Sequence, residues 1–298
     1  MRMPNFVVIG APKCGTTSLF YYLKQHPDIY LPVRKELHFF SFPLLESHSN
    51  GPGDKEILSS LCASWDEYKH HYLDVQNEAA IGEVSPSYLF YAEAGQRIKS
   101  RLGGVRIIAI LRDPIEKALS QYMHMVRDRR ETLSFYDALM AEPERRARDW
   151  GDIWMYAESS LYVDKLNHYF SAFGRENVRI ILLEEFMSQP QKVMADIYGF
   201  LGVSMDFSCD TSRVYNKGGN PKSGVVSEFL ARPNVAKTLL KRFIPERIRI
   251  PMRLALMEWN TGVKDGMDDR SREYLKSYFK DDTARLGKML SREMNWLS

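Results

Sequence analysis

The sequence predicts an α/β fold: a central parallel sheet flanked by helices in three layers, followed by a helical extension at the C-terminus. Three observations predict it. Nearly continuous apolar runs, FVVI at 6–9, VRIIAIL at 105–111 and VRIILL at 178–183, read as strands buried on both faces. The first two are each closed by turn residues that lead into a helix, and strand–turn–helix units build parallel sheets. The chain has 298 residues, 44% hydrophobic and 27% charged, enough to bury the core of one large domain. A single domain is expected, with its core over about 5–224 and a helical cap over about 225–298.

The first unit is the most informative. Gly10 ends the strand, and Pro12 and Gly15 keep a helix from starting before Thr16. Residues 16–25 then read as a helix with Leu19, Phe20, Tyr22 and Leu23 as its apolar positions. A strand, a glycine-bounded turn and a helix N-terminus gather backbone amides and a favourable dipole into an anion site. Lys13 adds a full positive charge, and Thr16, Thr17 and Ser18 add hydroxyls. Gly10 and Gly15 have P-loop spacing, but Thr16 stands where the P-loop lysine belongs, and the lysine lies inside the loop as Lys13. Cys14 in this loop reads as a small packed filler; the alternative is a thiol activated by the nearby lysine and helix end.

Further along, 29–31 is a short extended piece. Glu36 and His38, two apart in an extended or loosely turned segment, face the same side. Residues 43–54, rich in Ser, Gly and Pro, read as a mobile loop, either a lid or acceptor contact or plain surface. A helix over 65–72, a strand over 79–82 and a helix over 91–102 follow. After the 105–111 strand, Asp113 and Pro114 suit the cap and first position of a helix reaching about 128. Arg112 thus leaves the carboxyl end of a strand, where open α/β sheets bind ligands, and Ser120 lies two turns into the helix with its side chain directed back. Helices are expected at 159–173, 191–201 and 270–296. Glu184 and Glu185, adjacent carboxylates, read as helix-capping charges rather than an acid/base pair.

Charge sets limits. Net charge is +3, so no general affinity for polyanions follows and no nucleic-acid partner is expected. Arg127, Arg129 and Arg130, then Arg145, Arg146 and Arg148, form basic clusters that suit solvated helix faces or an acidic acceptor. The basic amphipathic stretch 232–253 reads as a packed helical cap, or as a peripheral contact with an anionic membrane. Three cysteines make no disulfide framework. With no signal peptide before the first strand and no apolar run of spanning length, a cytoplasmic protein is expected. No His, Cys and carboxylate cluster has metal-ligand spacing, so no metal is expected.

The pattern A-P-K-C-G-T-T-S-L at 11–19, followed by K-E-L-H-F-F-S at 35–41, resembles the sulfotransferases that use 3′-phosphoadenosine 5′-phosphosulfate (PAPS). It is similar in particular to the branch that includes heparan sulfate sulfotransferases and their bacterial relatives. The resemblance runs from about 6 to 223. It implies a P-loop-like domain in which Lys13, Cys14, Gly15, Thr16, Thr17 and Ser18 form the 5′-phosphosulfate loop. Arg112 and Ser120 would grip the donor's 3′-phosphate, and the polar loop RVYNKGGNPKSG at 213–224 would close over the nucleotide through Lys217, Gly218 and Lys222. In the segment Glu83 to Tyr88, Val84 stands where the family often has lysine, so that positive contact is missing or supplied elsewhere.

Sulfuryl transfer asks for positioning and charge stabilisation, as phosphoryl transfer does. Glu36 is the expected base, with His38 as runner-up base or acceptor partner. Lys13 is expected to steady the leaving phosphate. Donor anions would raise the Glu36 pKa and Lys35 would lower it, a balance the sequence leaves open. The expected acceptor is a hydroxyl on a glycan, glycolipid or other small molecule, acidic or lipid-linked. The competing readings are a P-loop kinase or nucleotide hydrolase using ATP and Mg²⁺, and a non-catalytic nucleotide-binding scaffold.

Overall fold

The computed structural model describes residues 1–213, 215 and 267–297. Lys217, Gly218, Lys222 and the basic stretch 232–253 lie outside the described residues. Five strands form one parallel sheet: β1 (Phe6–Gly10), β2 (Ile29–Tyr30), β3 (Ala80–Val84), β4 (Arg106–Leu111) and β5 (Val178–Leu182), in the order β2-β3-β1-β4-β5. The order reverses beside β1, so the loops after β1, β3 and β4 meet at one carboxyl edge, where a crevice opens. Phe6, Val7, Val8 and Ile9 are wholly buried, which is why β1 reads as an unbroken apolar run. Phe6 pairs with Gly82, and a Cβ there would stand 2.0 Å from the Phe6 ring, so this central contact admits only glycine.

Helices cover both faces. They are α1 (Thr16–Leu23), α2 (Phe42–Ser47), α3 (Asp54–Leu58), α4 (Trp65–His70), α5 (Ala92–Leu102) and α6 (Pro114–Arg127) in the first half. Then follow α7 (Phe135–Met140), α8 (Glu142–Ala147), α9 (Val163–Phe173), α10 (Leu183–Ser188), α11 (Pro190–Leu201) and α12 (Asp269–Leu290). The Asp113 carboxylate caps α6, accepting from the Ile115 and Glu116 amides at 2.8 and 3.3 Å, with Pro114 at the first position as expected. The C-terminal α12 is built into the body. Leu275, Phe279 and Leu286 are buried, and the Asp282 carboxylate accepts from the Tyr162 and Val163 amides (2.8 and 3.1 Å) at the start of α9, which has no side-chain cap of its own.

Three expectations are corrected. Residues 43–54 are not one continuous loop: α2 runs to Ser47, α3 begins at Asp54, and the Asp54 carboxylate ties the turn between them to the rest of the fold. It accepts from the Gly51 and Gly151 amides (3.0 and 3.2 Å) and from Trp154 Nε1 (3.1 Å). The helix expected from 159 begins at Val163, because Ser159 and Ser160 form a 3₁₀ turn whose hydroxyls receive the buried Lys117 ammonium at 2.8 and 3.3 Å. The last helix stops at Leu290, where Ser291 turns left-handed; Trp296 then donates to Glu184 at 2.8 Å and Arg292 pairs with Glu185 at 2.5 Å. Glu184 and Glu185 sit in the first turn of α10, the end that favours negative charge.

Candidate active site

The crevice at the carboxyl edge is a cleft of about 710 Å³, a size suited to a nucleotide-sized ligand. The loop after β1 forms its floor. Gly15 stands in the N-cap position of α1 at φ +87°, a conformation other residues adopt only with strain, and no side chain caps the helix. The first amides of α1 therefore lack the side-chain acceptor that usually meets them. Lys13 is also left-handed, at φ +67°. Its ammonium makes no hydrogen bond or ion pair among the described residues. Burial lowers its pKa to about 8, Arg127 and Arg112 push the same way, and Asp128 and Glu36 oppose them. An under-neutralised ammonium beside an uncapped helix start is a cradle short of an anion.

Arg112 leaves β4 beside this loop. It donates to the Lys13 carbonyl at 3.4 Å and pairs with Glu116 at 3.1 Å, while Tyr162 holds the Arg112 carbonyl at 2.8 Å. Ser120, two turns along α6, lines the same cleft, as do Gly15, Thr16, Thr17 and Ser18. Cys14 does not. Its thiol is fully buried, contacts the Pro12 carbonyl at 3.5 Å, and is pushed up to about 11 by burial, the setting of a small packed filler. The strap after α11 returns over α1: Tyr22 donates to the Arg213 carbonyl at 2.9 Å, the Tyr215 amide donates to Ser18 Oγ at 3.1 Å, and Tyr215 stacks on Tyr21 at 4.3 Å. Tyr215 lines the cleft two residues before Lys217.

Glu36 and His38 enter from another side, and not through an extended segment. Both are left-handed, at φ +66° and +56°, with Leu37 buried between them. Non-glycine residues hold such angles only when their surroundings impose them. Here the end of β3 does so. The Glu36 amide donates to the Val84 carbonyl at 3.0 Å, the His38 amide to Ser85 Oγ at 2.9 Å, and the Phe40 amide to the Tyr88 hydroxyl at 3.2 Å. Beneath them Glu83 is buried and accepts from Ser85 (2.7 Å), Tyr68 (2.6 Å) and Tyr88 (2.5 Å). Burial raises its pKa while these donors hold it down. The segment Glu83 to Tyr88, where the sequence shows only a missing lysine, is thus the mount for the Glu36–His38 turn. No local pattern could reveal this, since its partners lie in the 36–40 turn and in α4, both distant in sequence.

The two side chains do meet. His38 Nε2 lies 3.8 Å from a Glu36 oxygen, and His38 Nδ1 is 2.6 Å from Ser87 Oγ, itself 2.7 Å from Ser41 Oγ. Lys35 is in direct contact with the other Glu36 oxygen. Desolvation pushes the Glu36 pKa up, but Lys35 and His38 outweigh it and hold the carboxyl below the ordinary carboxylate range. Without donor anions, the balance left open by the sequence falls to Lys35. His124, also in the cleft, is kept well below its ordinary pKa by burial, with Lys13 and Arg127 adding to the effect.

A family profile described as "Sulfotransferase family" matches residues 4–207, more than half of the chain. The chain belongs to the sulfotransferase family. It is 35% identical to a sulfotransferase from Alicyclobacillus acidocaldarius of known structure, covering 100% of both chains with a TM-score of 0.79. A mouse sulfotransferase, SULT7A1, solved with PAP, shares the fold at 16% identity and a TM-score of 0.52 over 97% of this chain and 88% of that one. Among curated relatives, the membrane-associated sulfotransferase Kil1 of Dictyostelium discoideum is 21% identical over 99% of this chain. Human heparan sulfate glucosamine 3-O-sulfotransferase 3B1 is 24% identical over 68% of it. The chain spans 66% and 47% of the lengths of these two relatives. This sulfotransferase is an enzyme of the expected P-loop-like fold. Among its described residues, no helix is long and apolar enough to cross a membrane.

Proposed function

We propose that this sulfotransferase moves the sulfuryl group of PAPS to a hydroxyl acceptor. The reading is supported by the convergence of Lys13, Arg112 and Ser120 with Glu36 and His38 on one cleft at the carboxyl edge of the sheet. The uncapped start of α1 and the unpaired Lys13 ammonium suit a phosphosulfate. Arg112 and Ser120 suit a second phosphate. That the mouse enzyme with this fold was crystallised with PAP adds weight. Lys217, Gly218 and Lys222 follow directly on Tyr215 and are read as the loop that covers the nucleotide.

In this reading Glu36 accepts the acceptor's hydroxyl proton as the oxygen forms its new bond to sulfur. The bond from sulfur to the bridging phosphate oxygen breaks, and the electron pair stays on that oxygen, where Lys13 offsets the charge. His38, kept in orientation by Ser87, positions the acceptor. The chain acts as one sulfotransferase domain with α12 as part of its body, and its three free, buried cysteines suit the cytoplasm. The test is calorimetry with PAP and with ATP plus Mg²⁺, followed by transfer from labelled PAPS to a panel of alcohols. Tight PAP binding and label transfer are expected. Preference for ATP–Mg²⁺ would instead indicate a kinase or hydrolase.

A further inference from the structure

Beyond the donor loop, the cleft continues along a wall made by α2, α3 and the turn at 151–153. Leu45, Ile57, Leu58, Leu61 and Ile153 line it. Ile57, 45% exposed, is grouped with four other aliphatic side chains on this one lining, so the cleft presents a contiguous apolar surface rather than a lone exposed residue. The wall is preformed. Asp54 closes the turn on both sides through the Gly51 and Gly151 amides, and a Cβ on Gly51 would stand 2.4 Å from Trp154 Nε1.

The arginines around this wall are already engaged. Arg130 pairs with Asp54, donates to the Pro52 carbonyl at 2.7 Å and lies over the Trp154 ring at 5.1 Å. Arg127 donates to Asp128 at 3.1 Å, and Arg145 is buried on Glu131 at 2.7 Å. Arg146 pairs with Glu158 and Arg148 with Glu144, both at 2.6 Å, and Arg129 is engaged as well. Meanwhile four carboxylates line the cleft: Glu36, Asp54, Asp128 and Asp152. An acidic chain laid along this wall would meet carboxylates and arginines that are, among the described residues, already paired with one another, and would bear the desolvation cost of breaking those pairs.

We propose that the acceptor is a small neutral alcohol with an apolar body. The body lies against Leu45, Ile57, Leu58, Leu61 and Ile153, and the hydroxyl points to Glu36 and His38. This deepens the sulfotransferase reading and rests on it. The preformed wall selects by apolar burial, and the arginines beside it, paired among the described residues, offer a polyanionic acceptor no free partner.

The experiment measures PAPS turnover with alkyl glucosides from methyl to octyl and with an unsulfated, carboxylated oligosaccharide, alongside calorimetric PAP binding. The expected result is a rise in kcat/KM along the alkyl series, up to about fourfold per buried CH₂, or ~0.8 kcal/mol. Ile57→Gln should remove most of that rise, with PAP binding measured alongside to show that the donor site still forms. Leu61→Gln, at a second position, should do the same and serves if the first variant folds poorly. A flat chain-length dependence, no turnover of any neutral alcohol, or turnover of the acidic oligosaccharide that neither variant alters would overturn the proposal while leaving PAP binding intact. Failure to bind PAP would instead sink the sulfotransfer reading on which it rests.

Discussion

Replacing Glu36 by Gln removes a base but little else. The amide keeps the side chain's size, the Glu36 amide still donates to Val84, and the left-handed turn is retained. A positioned base contributes about 10²–10⁴ in rate, and the contribution grows with its basicity. In this cleft Lys35 and His38 hold the Glu36 carboxyl below its usual range, so it is a weak base. The loss should therefore fall at the lower end, about 10²-fold in kcat, or ~2.7 kcal/mol of transition-state stabilisation. Lys35→Met sharpens the test. With the ammonium gone, the Glu36 pKa should rise toward the ordinary carboxylate range, and the same Glu36→Gln change should cost more in that background than in the wild type. A base must be deprotonated to work, so Lys35→Met should also acquire an acid limb, with kcat falling as pH drops through about 4.5. The assay is initial-rate transfer from labelled PAPS, with PAP affinity measured in parallel. If Glu36→Gln keeps turnover within about threefold of wild type at unchanged PAP affinity, Glu36 is not the base. His38 would then inherit the role.

Three further outcomes are expected. Lys13 must be charged to hold an anion, and its pKa is lowered to about 8, so kcat/KM for the donor should fall as pH rises through about 8; Lys13→Met should be weak and lack that limb, and a wild-type profile level to pH ~9.5 would contradict the assignment. Asp282→Ala strips both amides at the start of α9 of their acceptor, a loss of about 1–3 kcal/mol that thermal denaturation should show as a fall of several degrees in Tm, with PAP affinity unchanged; a shift under about 1 °C would deny α12 its role as cap. Ser85→Ala removes the acceptor for the His38 amide and a donor to Glu83, so kcat should drop by ~10–100-fold while PAP affinity measured by calorimetry holds; an unchanged kcat would mean the turn needs no such mount.

The sheet was legible because parallel strands are buried on both faces and so leave unbroken apolar runs. The Lys13 loop was legible as a strand–turn–helix because its parts are consecutive: such a cradle needs only a strand, a glycine turn and the residues between. Asp113 and Pro114 were readable for the same local reason. Short helices such as α7 and α8 left no such mark, since tertiary packing rather than local pattern holds elements of six residues.

By itself, then, the sequence determined the α/β fold, the Lys13 loop and the Arg112–Ser120 helix, all written within single stretches of chain. Tertiary structure alone decided what Glu36 and the arginines are. Glu36 and His38 meet through left-handed backbone that Val84 and Ser85 impose, some 47 residues away at Ser85. Arg130, basic surface in the sequence, is spent on Asp54, 76 residues distant. The apolar wall closes because Asp54 bonds Gly151 across 97 residues. Charge and basicity depend on which groups stand within a few ångströms, and the folded chain sets those distances without regard to their order in sequence.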